Sequence, residues 1–211
     1  MNIVSIEQDT FAEVAPFTWG LTLFCFGCNL KCKMCQGYNY EQVTDKNNII
    51  GRAKELIDKN VTPFHDTVIF IGGEPTIWGS DLIEALKYVK SKNLHTKIFT
   101  NGMKPDVINY INNNKLCDAW SIDYKGIFSN TEEELGISNE EYVNNIWNSI
   151  DNVVEHKLPL EIRTTIYDEN RKDRDLIEAS ILEYINIAKK KNGYDYFIKW
   201  IEQHDFRKFI K

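Results

Sequence analysis

Short apolar runs alternate along this chain with stretches whose apolar residues recur at helical spacing. Leu21 to Cys25 is a continuous apolar run of strand length, and Thr67 to Ile71 (TVIFI) is another, stopped by Gly72 and Gly73. Thr96 to Thr100, Ala119 to Asp123, Leu160 to Tyr167 (LEIRTTIY) and Tyr194 to Trp200 continue the series, the last two rich in β-branched or aromatic residues. Between the runs lie amphipathic segments: Ile49 to Lys59, Leu82 to Val89, Pro105 to Ile111, Asn139 to Val154 and Asp173 to Lys190. In the second of these Leu82, Ala85, Leu86 and Val89 share a face, and Ser80 or Asp81 is expected as N-cap. Pro105 suits a first helical turn, and Asn192-Gly193 a helix end.

Strand and helix alternate about six times, which predicts an α/β fold with a parallel sheet and right-handed helical crossovers. Six units fall short of the closed eight-stranded barrel, typically about 250 residues long, so an open, partial (β/α)6 barrel is expected. Neither a Ser/Gly linker nor a fixed-period repeat interrupts the 211 residues, which read as one domain. The polar Asn112 to Lys115 reads as a solvated turn and the acidic Ser129 to Glu134 as a solvated loop.

A hydrophobic fraction of 43% and a charged fraction of 27% are ordinary for a globular protein and exclude a disordered one. The net charge of −6 gives no sign of a nucleic-acid groove or of attraction to an anionic membrane. No apolar run approaches the length needed to span a bilayer, and MNIVSIEQDTF lacks the basic and apolar regions of a signal peptide. A cytoplasmic location is the expectation.

Cysteine changes the picture. Four of the five cysteines lie between Cys25 and Cys35, while Cys117 stands alone beside a predicted strand and reads as core. In a reducing compartment such a cluster indicates metal or cofactor chemistry rather than disulfides. Cys28, Cys32 and Cys35 form C-x3-C-x2-C directly after the Leu21–Cys25 run. Soft thiolates favour iron–sulfur or zinc ligation. A four-iron cube held by three thiolates keeps one iron open for a further ligand. Cys25 offers a second possibility, a closed four-cysteine site in a zinc-stabilised binding module, set against its position inside a predicted strand.

C-x3-C-x2-C after the first strand of a β/α alternation resembles the signature of the radical S-adenosylmethionine (SAM) superfamily. The resemblance implies a [4Fe–4S] cluster on Cys28, Cys32 and Cys35, with SAM chelating the remaining iron. The residue before the third cysteine, an aromatic in many members, is Met34, whose backbone the resemblance places near the adenine. Gly72-Gly73-Glu74-Pro75 resembles the superfamily's GGE motif, which contacts the SAM amino group. Thr100-Asn101-Gly102 and the D-x-K of Asp123 and Lys125 resemble motifs of glycyl-radical-enzyme activases, implying SAM contacts for Asn101, Asp123 and Lys125. Asp123 and Lys125, two apart on an extended segment, can reach one ligand together. Arg163-Thr164-Thr165 resembles the R-T-T of activases of anaerobic (class III) ribonucleotide reductase, implying contact of Arg163 with SAM or a substrate loop. Inside a barrel its guanidinium needs an anionic partner.

Phe99 stands where some activases carry a cation-binding Asp, and Gln36-Gly37-Tyr38 departs from the common sequence after the third cysteine. No cysteines remain for an auxiliary cluster. The likeness spans a core of about residues 18–200. What it implies is abstraction of a hydrogen atom from a glycine of a partner enzyme such as anaerobic ribonucleotide reductase. The cluster would be reduced by flavodoxin or ferredoxin. A radical SAM enzyme acting on a small molecule or peptide is the alternative.

Overall fold

Every apolar run of the sequence enters one sheet. The computed structural model describes residues 1–11, 13–14, 16–33, 35, 44–126, 131–166, 171–192 and 197–202. Its strands are β1 (Asn2–Thr10), β2 (Gly20–Cys25), β3 (Gly51–Arg52), β4 (Thr67–Gly72), β5 (His95–Thr100), β6 (Ala119–Asp123), β7 (Leu160–Ile166) and β8 (Phe197–Glu202). They line up as β3-β1-β2-β4-β5-β6-β7-β8. From β2 to β8 each neighbouring pair is parallel, which is the expected α/β partial barrel of six parallel strands, open between its two edges. Among the described residues the helices include α1 (Ala53–Asn60), α2 (Ser80–Ser91), α3 (Pro105–Asn113), α4 (Thr131–Leu135), α5 (Asn139–Glu155) and α6 (Arg174–Asn192).

Alternation along the strands divides the sheet into two faces. Leu21, Leu23, Val68, Phe70, Ile98, Trp120, Ile122, Leu160 and Ile162 join the main core with Leu82, Leu86, Ile108, Ile146 and Ile150 of the helices. The intervening residues make the inner face. There Ile69 and Phe99 pack with Val14 of the segment between β1 and β2 in a separate small cluster, and Lys97, Ser121 and Glu161 are buried beside them. Six strands in parallel need a cover on each side. Helices cover one side, and the segment around Glu13 and Val14 crosses part of the other.

Several local expectations are corrected. β1 is absent from the sequence reading, because two register shifts against antiparallel β2 break the alternation that reveals a strand. The Ile49–Lys59 segment opens as β3 and becomes helical only at Ala53. At the start of α2 the cap is Gly79, without a side-chain bond, and Asp81 instead accepts from the Met1 amino group at 2.6 Å. The acidic 129–134 stretch is not wholly a solvated loop: Thr131–Leu135 is helical, and Leu135 lies in the core. Asn112 is buried, accepting from Trp120 Nε1 and donating to Asn152 Oδ1, both at 2.8 Å. Residues 129–130, 193 and the tail from 203 onward lie outside the described residues.

Candidate active site

The motifs converge where parallel strands end, the usual position of ligand sites in open α/β sheets. β2 ends in Cys25, whose Sγ faces the helix-side core and donates to the Leu23 carbonyl at 3.8 Å. Burial raises its thiol pKa, so this cysteine behaves as a small apolar residue. Cys117 does the same, donating to the Ala119 carbonyl at 3.0 Å. After Cys25 the chain turns at Gly27, in left-handed conformation with φ 84°, and leads into Cys28.

Two adjacent strand ends are stitched together here. The Gly73 amide donates to the Cys25 carbonyl at 3.0 Å and the Glu74 amide to the Gly27 carbonyl at 2.7 Å. A Cβ on Gly73 would sit 1.8 Å from the Gly27 oxygen, and one on Gly72 would sit 2.6 Å from the Cys25 nitrogen. The close approach these glycines permit is therefore to the cysteine loop itself. Glu74 is 1% exposed. Its Oε1 accepts from Thr76 N (3.0 Å), Thr76 Oγ1 (2.6 Å) and Thr100 Oγ1 (2.7 Å), and its Oε2 from Asn101 N (2.6 Å). Burial pushes the carboxyl pKa up against the pull of those donors. In the structure this carboxylate fastens the end of β5 to the end of β4.

Asn101 continues the link to the cysteine loop. Its Oδ1 accepts from Met103 N at 3.0 Å, and its Nδ2 donates to Asn29 Oδ1 at 2.8 Å and to Cys28 Sγ at 3.9 Å. Leu30 N also donates to Cys28 Sγ, at 3.5 Å. On the far side the Lys31 and Lys33 amides donate to the carbonyls of Leu135 and Glu134, each at 2.9 Å. The last carbonyls of the short α4 are thus satisfied by the cysteine loop. Cys28 and Cys32 are half-buried, as is Cys35, whose amide donates to the Cys32 carbonyl at 3.0 Å. Burial pushes the Cys28 thiol up to about 12 and raises Cys32 and Cys35 as well, so binding a cation must displace protons.

Lys125 supplies positive charge beside these thiols. Its Nζ lies 3.3 Å from Asp123 Oδ2, and its backbone amide donates to Tyr142 Oη at 2.8 Å. Burial alone would lower the ammonium pKa, but Asp123, Cys32, Tyr142 and Cys28 outweigh it and raise the value. Arg163 stands across from Asp123 in register. Its guanidinium bonds Glu13 Oε2 at 2.9 Å, lies 3.9 Å from Asp123 Oδ1 and sits over the Phe99 ring at 4.9 Å. The expected anionic partner of Arg163 is therefore present twice. One layer deeper, Lys97 pairs with Glu161 at 3.2 Å and donates to the Glu13 carbonyl at 2.8 Å.

The structure thus brings Cys28, Cys32, Cys35, Gly72, Gly73, Glu74, Asn101, Asp123, Lys125 and Arg163 to one end of the sheet, and Met34 lies outside the described residues. Sequence reading overlooked Asn29, Glu13, Lys97, Glu161 and Tyr142. A signal existed for two of them: charged residues at inward parity in the otherwise apolar T-K-I-F and L-E-I-R. Among the described residues no three His, Cys, Asp or Glu side chains converge on one metal position. A four-iron cube asks for less convergence, since each thiolate takes its own iron, and three half-buried thiols spread along one loop fit it.

Comparison with known proteins extends this picture. The sequence model of the Radical SAM superfamily matches residues 22–197. A Methanocaldococcus jannaschii protein with the provisional name of glycyl-radical enzyme activating enzyme is 31% identical over 82% of this chain and 74% of its own length. A second protein of that organism, named 7,8-dihydro-6-hydroxymethylpterin dimethyltransferase, is 36% identical over 40% of this chain and 17% of its own. Among solved structures, anSMEcpe with bound AdoMet and a Kp18Cys peptide superposes with a TM-score of 0.59 at 15% identity, covering 86% of this chain and 49% of that one. TYW1 with a lysine-pyruvate adduct gives 0.55 at 17%, covering 89% and 66%. The chain spans about half the length of anSMEcpe, and at these identities the likeness is one of fold.

Proposed function

Because the chain belongs to the radical SAM superfamily, we propose that Cys28, Cys32 and Cys35 hold the [4Fe–4S] cluster which that family implies, and that SAM binds beside them. When bound, the two together supply reductive cleavage of SAM to methionine and a 5′-deoxyadenosyl radical able to abstract hydrogen. The observation that carries the reading is the fastening of the three-thiol loop to the ends of β4 and β5 through Gly73, Glu74 and Asn101, with Lys125 alongside.

Each residue has a definite task. Gly72 and Gly73 let two backbones meet, and Glu74, its carboxylate already engaged, holds that junction rigid. Lys125 and Asp123 present opposite charges that suit the carboxylate and the amino group of an amino-acid moiety. Met34, by its place before Cys35, offers backbone to the adenine. Arg163, over the Phe99 ring, borders the inner face where a substrate must meet the reactive carbon at near van der Waals range.

The substrate we propose is a glycine of a partner enzyme of the anaerobic ribonucleotide reductase class, with flavodoxin or ferredoxin as donor. Its supports are the order of GGEP, TNG, D-x-K and R-T-T, and the provisional name of the 31% identical relative. A sheet whose described edges, β3 and β8, do not pair with each other also suits a substrate presented as a loop of another protein. Anaerobic reconstitution should give iron and, with dithionite and SAM, 5′-deoxyadenosine. Addition of the cognate reductase should produce a glycyl-radical EPR doublet in it. Turnover of SAM with no doublet would transfer the assignment to a small-molecule or peptide substrate.

A further inference from the structure

We infer that Asn101 tunes the reduction potential of the cluster by donating an N–H hydrogen bond to the Cys28 sulfur. The inference rests on the proposed ligation by Cys28. The orientation of the Asn101 amide is decided by its neighbours: Oδ1 accepts from Met103 N at 3.0 Å, so the NH2 group must face the cysteine loop. One of its hydrogens serves Asn29 Oδ1 at 2.8 Å, and the other is directed toward Cys28 Sγ at 3.9 Å. Asn101 N is itself held by Glu74 Oε2 at 2.6 Å, which leaves the side chain little freedom to turn away. With Leu30 N at 3.5 Å, Cys28 Sγ receives two N–H donors. Among the described residues no hydrogen bond reaches Sγ of Cys32 or Cys35 from a side chain.

A donor on a ligating sulfur withdraws negative charge from it and favours the electron-richer, reduced cluster. SAM cleavage begins with a one-electron reduction, so this contact bears on the step that is hardest for the donor. Asn101 is thus a positioning residue with two separable effects, anchoring the loop through Asn29 and polarising the Cys28 sulfur.

The test is an EPR-monitored redox titration of reconstituted protein without SAM, comparing parent, Asn101→Ala and Asn29→Ala. Asn29→Ala removes the anchor and keeps the donor. The expected result is a more negative potential for Asn101→Ala, a three- to tenfold fall in the reduced-to-oxidised ratio at fixed poise, up to about 59 mV for one electron, with Asn29→Ala close to parent. If Asn101→Ala takes up too little iron, Asn101→Leu, of similar size and without a donor, carries the same comparison. Equal potentials in parent and Asn101 variants, or an equal shift in Asn29→Ala, overturn the inference. Parent protein that binds no iron overturns the underlying ligation instead.

Discussion

The two faces of the sheet are built from alternate residues of the same strands and are put to different uses. Toward the helices, Leu23, Phe70, Ile98, Trp120, Ile122 and Ile162 form a continuous apolar layer. Such a layer stabilises by area removed from water, roughly 25 cal/mol per Å2, and tolerates exchange among residues of similar volume. On the inner side the same strands offer Lys97, Phe99, Ser121, Asp123, Glu161 and Arg163, where each charge is held by a named partner. Buried ion pairs add little net stability, because desolvation offsets the attraction. One face holds the fold, and the other spends stability to keep polar groups oriented next to the proposed active site.

The cysteines break this comparison most sharply. Cys28→Ala, Cys32→Ala or Cys35→Ala should each abolish iron uptake and 5′-deoxyadenosine formation. Cys25→Ala, on the helix face, should keep iron content at parent level and lose only about 1 kcal/mol of stability. Iron analysis and denaturant unfolding of the four variants separate the outcomes.

Next in size are single buried residues on the two faces. Trp120→Ala should cost about 3–5 kcal/mol by opening a cavity, and Lys97→Met about 3–5 kcal/mol by removing the buried cation that pairs with Glu161. The difference shows in rescue: Lys97→Met with Glu161→Leu should recover most of the loss, since removing both charges removes the desolvation cost. No second substitution of that kind repairs Trp120→Ala.

Gly73→Ala should act locally. The added Cβ, 1.8 Å from the Gly27 oxygen, forces the two loops apart, for a loss of about 1–3 kcal/mol and at least tenfold weaker SAM binding by calorimetry.

The smallest effect is expected at the opposite end of the sheet, at the carboxylate that precedes β4. Asp66 accepts from Thr18 N at 3.0 Å and Trp19 N at 3.1 Å. Burial raises its pKa, but the Thr18 and Trp19 donors win and hold it below the usual carboxylate value. A depressed folded pKa contributes stability above the unfolded value of about 3.9, and that contribution is lost as pH falls through the folded value. Asp66→Asn should therefore cost about 1 kcal/mol at pH 7 and nearly nothing well below pH 3, read by urea unfolding at both.

The apolar runs and their spacing were sufficient to specify six parallel strands, the five longer helices between them and the loop carrying the thiols, because alternation and helical period are local properties of the chain. The bulged β1 was not legible, since its pairing with β2 is irregular. Nor were the partners of the charged residues: Glu13 reaches Arg163 from 150 positions away, and Lys97 reaches Glu161 across 64. Only the folded sheet decided that Cys25 turns toward the helices while Cys28 meets Asn101. It also decided that Glu74 clamps two strand ends, because burial and long-range hydrogen bonds belong to neighbours the linear order does not name.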